Sequence, residues 1–281
     1  MTVPQPYALV LGVAQDGGHP QPGCQRACCA SPGVRPHLTT CVAVVDEGRA
    51  WLLDAGPDFR AHLRRLDASK IDLAGVLLTH GHIGHYTGLM FLGREAMDID
   101  ALPVWASPRL AEFIGNNGPW DQLISAGNID LRGLEPDTPF SLTARTTAEA
   151  FSVPHRDEYS ETVGFLITGP ERSLIYVPDT DSWDEWDRPV EAFIERADVA
   201  LLDATFFDET ELPGRDIAKI AHPIVVESLR RFCELDEPER SKIHFTHLNH
   251  SNPLLNPESD EYIRVTRAGM NVATEGESFE L

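Results

Sequence analysis

Leu77-Leu78-Thr79-His80-Gly81-His82-Ile83-Gly84-His85 is the stretch on which the reading of this chain turns. An apolar run gives way to two histidines separated by one residue, with a third histidine three further on, and Tyr86-Thr87-Gly88-Leu89 follows. Three imidazoles so spaced face one small volume only on a tight loop between a strand and a helix, and Gly81 and Gly84 are expected to relax the backbone there. Neutral imidazole is a good ligand for zinc, iron or manganese. The competing readings are a chance surface cluster of histidines and a partly buried helix N-terminus.

Three later segments supply what a metal site built on this loop would lack. Val153-Pro154-His155 ends one apolar run in a histidine, and Ile243-His244-Phe245-Thr246-His247 ends another in the same way. Leu174-Ile175-Tyr176-Val177-Pro178-Asp179 ends in a carboxylate, a group able to bridge two cations. Each alone is weak evidence, since a strand-end His or Asp is more often a solvated loop residue. Together, in this order, they point to His80, His82, His85, His155, Asp179 and His247 as ligands.

The rest of the chain is patterned to carry such a site. Strands are expected over residues 7–13, 38–45, 50–53, 75–78, 151–153, 163–168, 173–177, 199–202 and 242–245. Helices are expected over 58–66, 85–97, 108–114, 183–196 and 223–233. Many of the strand runs are followed by a loop rich in Asp, His or Gly, so polar residues at strand ends converge on one edge, where ligand sites lie in layered α/β folds. No linker, short repeat or shift of composition divides residues 1–281, and one domain is the simplest organisation. The segment 98–147, with Trp105, Asn116, Asn117 and Trp120, is expected to cover the pocket and set specificity.

Composition bounds the function. Apolar residues make up 42% and charged residues 24% of the 281, an ordinary globular balance. The formal charge of −21 repels phosphate backbones and anionic lipid. Nucleic acid and membranes are therefore excluded as expected partners, and a small-molecule substrate is expected, with a homodimer as the oligomer this reading allows. No apolar run is long enough to span a bilayer, and Met1-Thr2-Val3-Pro4-Gln5-Pro6 has no signal-peptide pattern, so a cytoplasmic location is expected. Of five cysteines, Cys24, Cys28 and Cys29 crowd together, which in a reducing compartment reads as metal binding rather than disulfides. Cys41 and Cys233 are expected to be buried bystanders.

The histidine loop resembles the His-x-His-x-Asp-His signature of the metallo-β-lactamase superfamily, and Leu52-Leu53-Asp54-Ala55-Gly56 resembles the strand-end Asp-x-Gly that precedes it there. The resemblance implies an α/β fold, the four-layered αββα metallo-β-lactamase sandwich. It implies that His80, His82 and His155 hold a first metal, that Asp179 bridges, and that His85 and His247 hold a second with Asp179. Zinc is the expected ion, one or two in the active site, with manganese or iron as alternatives. One departure stands out: Gly84 occupies the place of the signature aspartate, which ligates the second metal and orients the attacking water. The second site is thus expected to be weak, differently occupied or empty.

Residues 11–29, Leu-Gly-Val-Ala-Gln-Asp-Gly-Gly-His-Pro-Gln-Pro-Gly-Cys-Gln-Arg-Ala-Cys-Cys, are similar to the opening of the coenzyme PQQ synthesis protein B family and of the cyclic phosphodiesterases of phosphonate breakdown. Gly88–Glu95 and His247–Leu255 also look like the first of these, although that family typically lacks the complete His-x-His pair present here. By resemblance to the phosphodiesterases, Cys24, Cys28, Cys29 and His250 form a structural zinc site, and His222, just before a helix, is a non-ligand catalytic histidine. The alternatives are buried thiols beside one reactive cysteine, and a helix-capping histidine. Asp203, ending another strand, is expected to line the same pocket.

The preferred expectation is hydrolysis of a small phosphodiester, lactone or related ester, with Asp179 or His222 managing protons in place of the missing aspartate. An iron-dependent oxidative role in PQQ-type cofactor biosynthesis is the second reading. A binding relative that has lost catalysis is the third.

Overall fold

The computed structural model describes residues 4–211 and 221–281. Among the described residues, fourteen strands lie in two sheets of seven. The first sheet contains β1 (Tyr7–Gly12), β2 (Cys41–Asp46), β3 (Arg49–Leu53), β4 (Asp72–Leu77), β5 (Leu102–Ala106), β6 (Ile129–Gly133) and the late strand β14 (Ser278–Glu280), in the order β14-β1-β2-β3-β4-β5-β6. The second contains β7 (Phe140–Ser141), β8 (Thr147–Val153), β9 (Thr162–Thr168), β10 (Ser173–Val177), β11 (Val199–Asp203), β12 (Ile243–Thr246) and β13 (Asn271–Val272), in the order β13-β12-β11-β10-β9-β8-β7. The helices are α1 (Ala27–Ala30), α2 (Phe59–Ala68), α3 (Ile83–Tyr86), α4 (Pro108–Asn116), α5 (Trp120–Ser125), α6 (Val190–Glu195), α7 (Val225–Phe232), α8 (Glu237–Ser241) and α9 (Asp260–Arg267).

Both sheets begin as antiparallel meanders and become parallel. In the first, β3, β4, β5 and β6 run parallel; in the second, β10, β11, β12 and β13 do. The central strands are buried on both faces, which is why they read as unbroken apolar runs such as Val199-Ala200-Leu201-Leu202 rather than as alternation. The period of two is still visible in where each side chain goes. Trp51 and Leu53 of β3 pack between the sheets against Phe165, Leu174 and Tyr176, whereas Leu52 turns outward to Phe59, Leu66 and Leu89. Ile175 and Val177 of β10 likewise turn outward, to Phe193, Leu229 and Phe232. Three apolar layers separate four structural ones, and the expected αββα sandwich is present.

Four expectations are corrected. The helix expected over 85–97 is a single α-turn, α3, followed by a 3-10 segment at Thr87–Leu92. Close packing shapes this stretch: a Cβ at Gly88 would lie 2.4 Å from the Gly56 carbonyl oxygen. The helix expected over 183–196 is split into a 3-10 turn at Trp183–Glu185 and α6, because Pro189 lacks the N–H that a continuous helix would need. The segment 98–147 is chiefly scaffold, supplying β5, β6, β7, α4 and α5, and its Trp105 packs in the intersheet core. Cys41 is buried as expected, but Cys233 is exposed at the end of α7. Among the described residues no helix is long and apolar enough to cross a membrane.

Candidate metal centre

The carboxyl ends of β3, β4, β8, β10, β11 and β12 meet at one edge of the sandwich, and each delivers a polar residue within two or three positions of the strand end. Strand β8 qualifies because it is antiparallel to β9, which is itself antiparallel to β10, so β8 and β10 end on the same side. From these ends come Asp54, Thr79 and His80, His155, Asp179, Asp203, and His247.

Two donor sets share Asp179. Nitrogens of His80, His82 and His155 cluster with an Asp179 oxygen; oxygens of Asp179 and Asp16 cluster with nitrogens of His85 and His247. Ligands about 2.0–2.1 Å from a tetrahedral ion lie roughly 3.3–3.4 Å from one another. In the first set, His80 Nε2 is 2.8 Å from His82 Nδ1 and 3.2 Å from Asp179 Oδ2, and His155 Nε2 is 3.3 Å from His82 Nδ1. In the second, Asp179 Oδ2 lies 2.9 Å from His85 Nε2 and 3.4 Å from His247 Nε2. One oxygen, Asp179 Oδ2, therefore faces both sets, the geometry of a bridging carboxylate.

Each ring is fixed by an outer partner that leaves its inward nitrogen as a lone pair. His80 Nδ1–H donates to Thr79 Oγ1 at 2.9 Å, and Thr79 in turn donates its N–H and O–H to Asp54 Oδ1. His85 Nδ1–H donates to Asp54 Oδ2 at 2.8 Å, His155 Nδ1–H to Asp181 Oδ1 at 2.9 Å, and His247 Nδ1–H to Thr205 Oγ1 at 2.9 Å. His82 is turned the other way: its Nε2 faces Glu158 Oε2 at 3.3 Å, so Nδ1 points inward. Asp54 and His247 both adopt left-handed backbone, φ 70° and 59°, a mildly strained conformation that His and Asp tolerate better than most residues.

The donors fit a cation on three further counts. First, His85 Nε2, His247 Nε2, Asp16 Oδ1 and Asp179 Oδ1 are buried atoms with no hydrogen-bond partner, unusual in a folded protein unless something unseen satisfies them. Second, Asp54, Asp179 and Asp203 are all essentially inaccessible to solvent, and buried carboxylates require pairing or a metal. Third, the titration states suit ligation. Burial, with His85 close by, holds His80 neutral, and burial also lowers His82 and His155. Burial opposes ionisation of Asp179, but His247, His80 and His85 overcome it and keep the carboxylate charged. His85 is the exception: burial disfavours its charge, yet Asp54, Asp16 and Asp179 pull its pKa well above the ordinary value, the effect of carboxylates gathered where a cation would sit.

His222 sits at the rim of the centre, ahead of α7. Its Nδ1 is 2.8 Å from Asp203 Oδ2 and 3.3 Å from Asp179 Oδ1. Burial opposes protonation of this ring, but Asp203 and then Asp179 raise its pKa. Asp203 also accepts from Thr180 N–H and Thr205 N–H, which makes it a rigid anchor.

The cysteine cluster is a separate donor set. Sγ of Cys24 lies 4.0 Å from that of Cys28, which lies 4.0 Å from that of Cys29, and a His250 ring nitrogen completes the group. Thiolates 2.3 Å from a tetrahedral ion stand roughly 3.8 Å apart, so adjacency of Cys28 and Cys29 is no obstacle. All ten expected ligands are thus gathered in two places, and His222 and Asp203 join the first of them.

Asp16, Thr79, Asp181 and Thr205 were not expected at the centre. Gly84 held a signal for the first: a signature short of one carboxylate invites a search for another. The expected reason for Gly84, backbone freedom, is also corrected, since its φ is not positive; glycine is needed because Asp16 comes too close for any side chain.

The chain matches the family model of the beta-lactamase superfamily domain over residues 49–251. Coenzyme PQQ synthesis protein B of Methylorubrum extorquens is 25% identical, with 98% of this chain and all of that protein aligned. The crystal structure of zinc-bound PqqB from Methylobacterium extorquens superposes with a TM-score of 0.83 at 24% identity, covering 98% of this chain and 100% of the other. A diphosphatase of the PhnP family superposes with a TM-score of 0.70 at 22% identity, covering 100% and 98%. Fold, strand-end donors and family match agree, and the chain belongs to the metallo-β-lactamase superfamily.

Proposed function

We propose that this protein is a metal-dependent hydrolase of a small phosphodiester or ester, working at a centre of two cations bridged by Asp179. The observation that carries the reading is the pair of donor sets sharing one Asp179 oxygen, with His85 Nε2, His247 Nε2, Asp16 Oδ1 and Asp179 Oδ1 buried and left without partners. His80, His82, His155 and Asp179 would hold one ion, and His85, His247 and Asp179 the other. Zinc suits the donors best, and a PqqB relative was crystallised with zinc. When bound, the ions supply Lewis acidity and bring the pKa of water toward neutrality.

The residues supply the rest. Water adds to the phosphorus or acyl carbon and loses a proton to a carboxylate of the centre. With Nδ1 of His222 held by Asp203, its Nε2 is the ring atom left to meet substrate, and it donates a proton to the departing ester oxygen. Asp203 keeps that ring charged and aimed, the role of an orienting carboxylate. Ile83, next to His82, and Tyr159, next to Glu158, are more than half exposed and offer an apolar rest for a leaving group, while Arg156, next to His155 and 3.9 Å from Glu158 Oε1, offers a cation to an anionic substrate.

Hydrolysis of bis(p-nitrophenyl) phosphate and of p-nitrophenyl acetate by the zinc- and manganese-loaded protein tests this reading. Turnover abolished by His80→Ala supports it; turnover equal in the native chain and that variant contradicts it. A second reading, a step in making a redox cofactor, rests on the end-to-end similarity to coenzyme PQQ synthesis protein B. Iron in the purified protein with oxygen consumption and no hydrolysis would favour it.

A further inference from the structure

The space that an aspartate at position 84 would need is already filled. A Cβ built on Gly84 would lie 1.9 Å from Asp16 Oδ1 and 2.8 Å from Asp16 Cα, so the two side chains exclude one another. Asp16 arrives from the loop after β1, on the far side of the sheet order from α3. That loop is locked in place by backbone hydrogen bonds: Gln15 N–H to Leu248 O at 2.9 Å, Leu248 N–H to Val13 O at 2.7 Å, and Thr40 N–H to Ala14 O at 2.7 Å. The first two tie it to the residue directly after His247.

Asp16 Oδ1 is buried and accepts no hydrogen bond. It stands 3.5 Å from His85 Nε2 and 3.9 Å from His247 Nε2, too long for good hydrogen bonds and close to the roughly 3.3–3.4 Å between ligands of one ion. We infer that Asp16 is a direct ligand of the second cation, supplying from the N-terminal loop the carboxylate that the histidine loop lacks at Gly84. The second site then has four protein ligands, Asp16, His85, Asp179 and His247, and matches the first in number. The inference rests on the two-cation reading above.

The test is a chelator-competition titration with zinc alone, with Co(II) electron paramagnetic resonance as a second readout. The native chain should bind two ions at the histidine centre, and its two Co(II) ions should be magnetically coupled. Asp16→Asn should weaken the second ion by more than the about 10–100-fold that outer partners are worth, leave the first within a few-fold, and give uncoupled Co(II). Asp16→Ala, which removes the carboxylate without leaving an amide in its place, should show the same selective loss. Native affinity for both ions in Asp16→Asn or in Asp16→Ala overturns the inference. If Asp16→Asn does not fold, Asp16→Ala decides. A single ion at the histidine centre of the native chain would sink the two-cation reading itself; two there in both the native chain and Asp16→Asn, with the cysteine site counted separately, sink only the role of Asp16.

Discussion

Replacing Asp54 with asparagine exchanges one oxygen for an amide nitrogen at almost unchanged volume, in a site with no solvent access. The oxygen facing Thr79 can be kept, preserving acceptance from the Thr79 N–H at 2.8 Å. The new amide then faces His85 Nδ1 at 2.8 Å and the Tyr176 hydroxyl at 3.2 Å. An amide N–H needs an acceptor, so His85 must move its proton from Nδ1 to Nε2, the atom 2.9 Å from Asp179 Oδ2. A protonated Nε2 cannot ligate. Loss of such an outer partner costs about 10–100-fold in metal affinity, or about 1.4–2.7 kcal/mol. His80 keeps its own partner, Thr79 Oγ1, so the first ion should be held within a few-fold of native. Stepwise zinc competition against a chelator resolves the two affinities. An unchanged second affinity, or equal loss of both ions in a folded variant, would refute the tautomer argument.

Other outcomes follow from the same geometry. His222→Gln should lower kcat by about 10²–10⁴-fold with bound metal unchanged, and the loss should be smaller for substrates whose leaving group needs no proton; metal lost in parallel would reassign His222 as a ligand. Cys24→Ser should remove one zinc per chain and lower the melting temperature by roughly 5–10 °C, taking about 2.7 kcal/mol for a site held at a hundredfold excess over its Kd; no change in zinc content or melting would make these plain thiols. His62 is buried on α2, and burial first, then Arg65, lowers its pKa from 6.5 to about 3. The unfolded chain takes that proton near pH 6.5 and the folded chain does not, so stability is full above pH 6.5 and is lost progressively down to about pH 3. Between pH 7 and pH 5 this amounts to about 2 kcal/mol, which His62→Leu should abolish in urea titrations at the two pH values; an unaltered pH slope would count against the buried neutral ring.

Much of this was legible in the sequence because the fold places its chemistry at strand ends. His80, His155, Asp179, Asp203 and His247 each follow an apolar run that can be recognised by its length and branching alone, and the strands that carry them were expected in their observed places. Less was legible where tertiary packing sets the structure. Strand β6 is the edge strand and most of its residues meet solvent, so its composition resembled loop; β5 is buried apart from Pro103, a residue that reads as a break; and the residues after α3 were shaped by close contact with the Gly56 backbone rather than by helical periodicity. Asp16 was hidden for a different reason. It stands between Gln15 and two glycines, with no strand end to mark it, and only the folded chain brings it to a histidine loop nearly seventy residues away.

The measurement closest to the central claim is hydrolytic activity followed as zinc is returned, equivalent by equivalent, to chelator-stripped protein, with bound metal counted at each step. The structure predicts no turnover without metal and activity that rises until both ions of the histidine centre are in place, with the cysteine site accounted for separately in Cys24→Ser. Turnover that survives complete stripping, or none at any loading while iron and oxygen restore a reaction, would contradict a two-cation hydrolase.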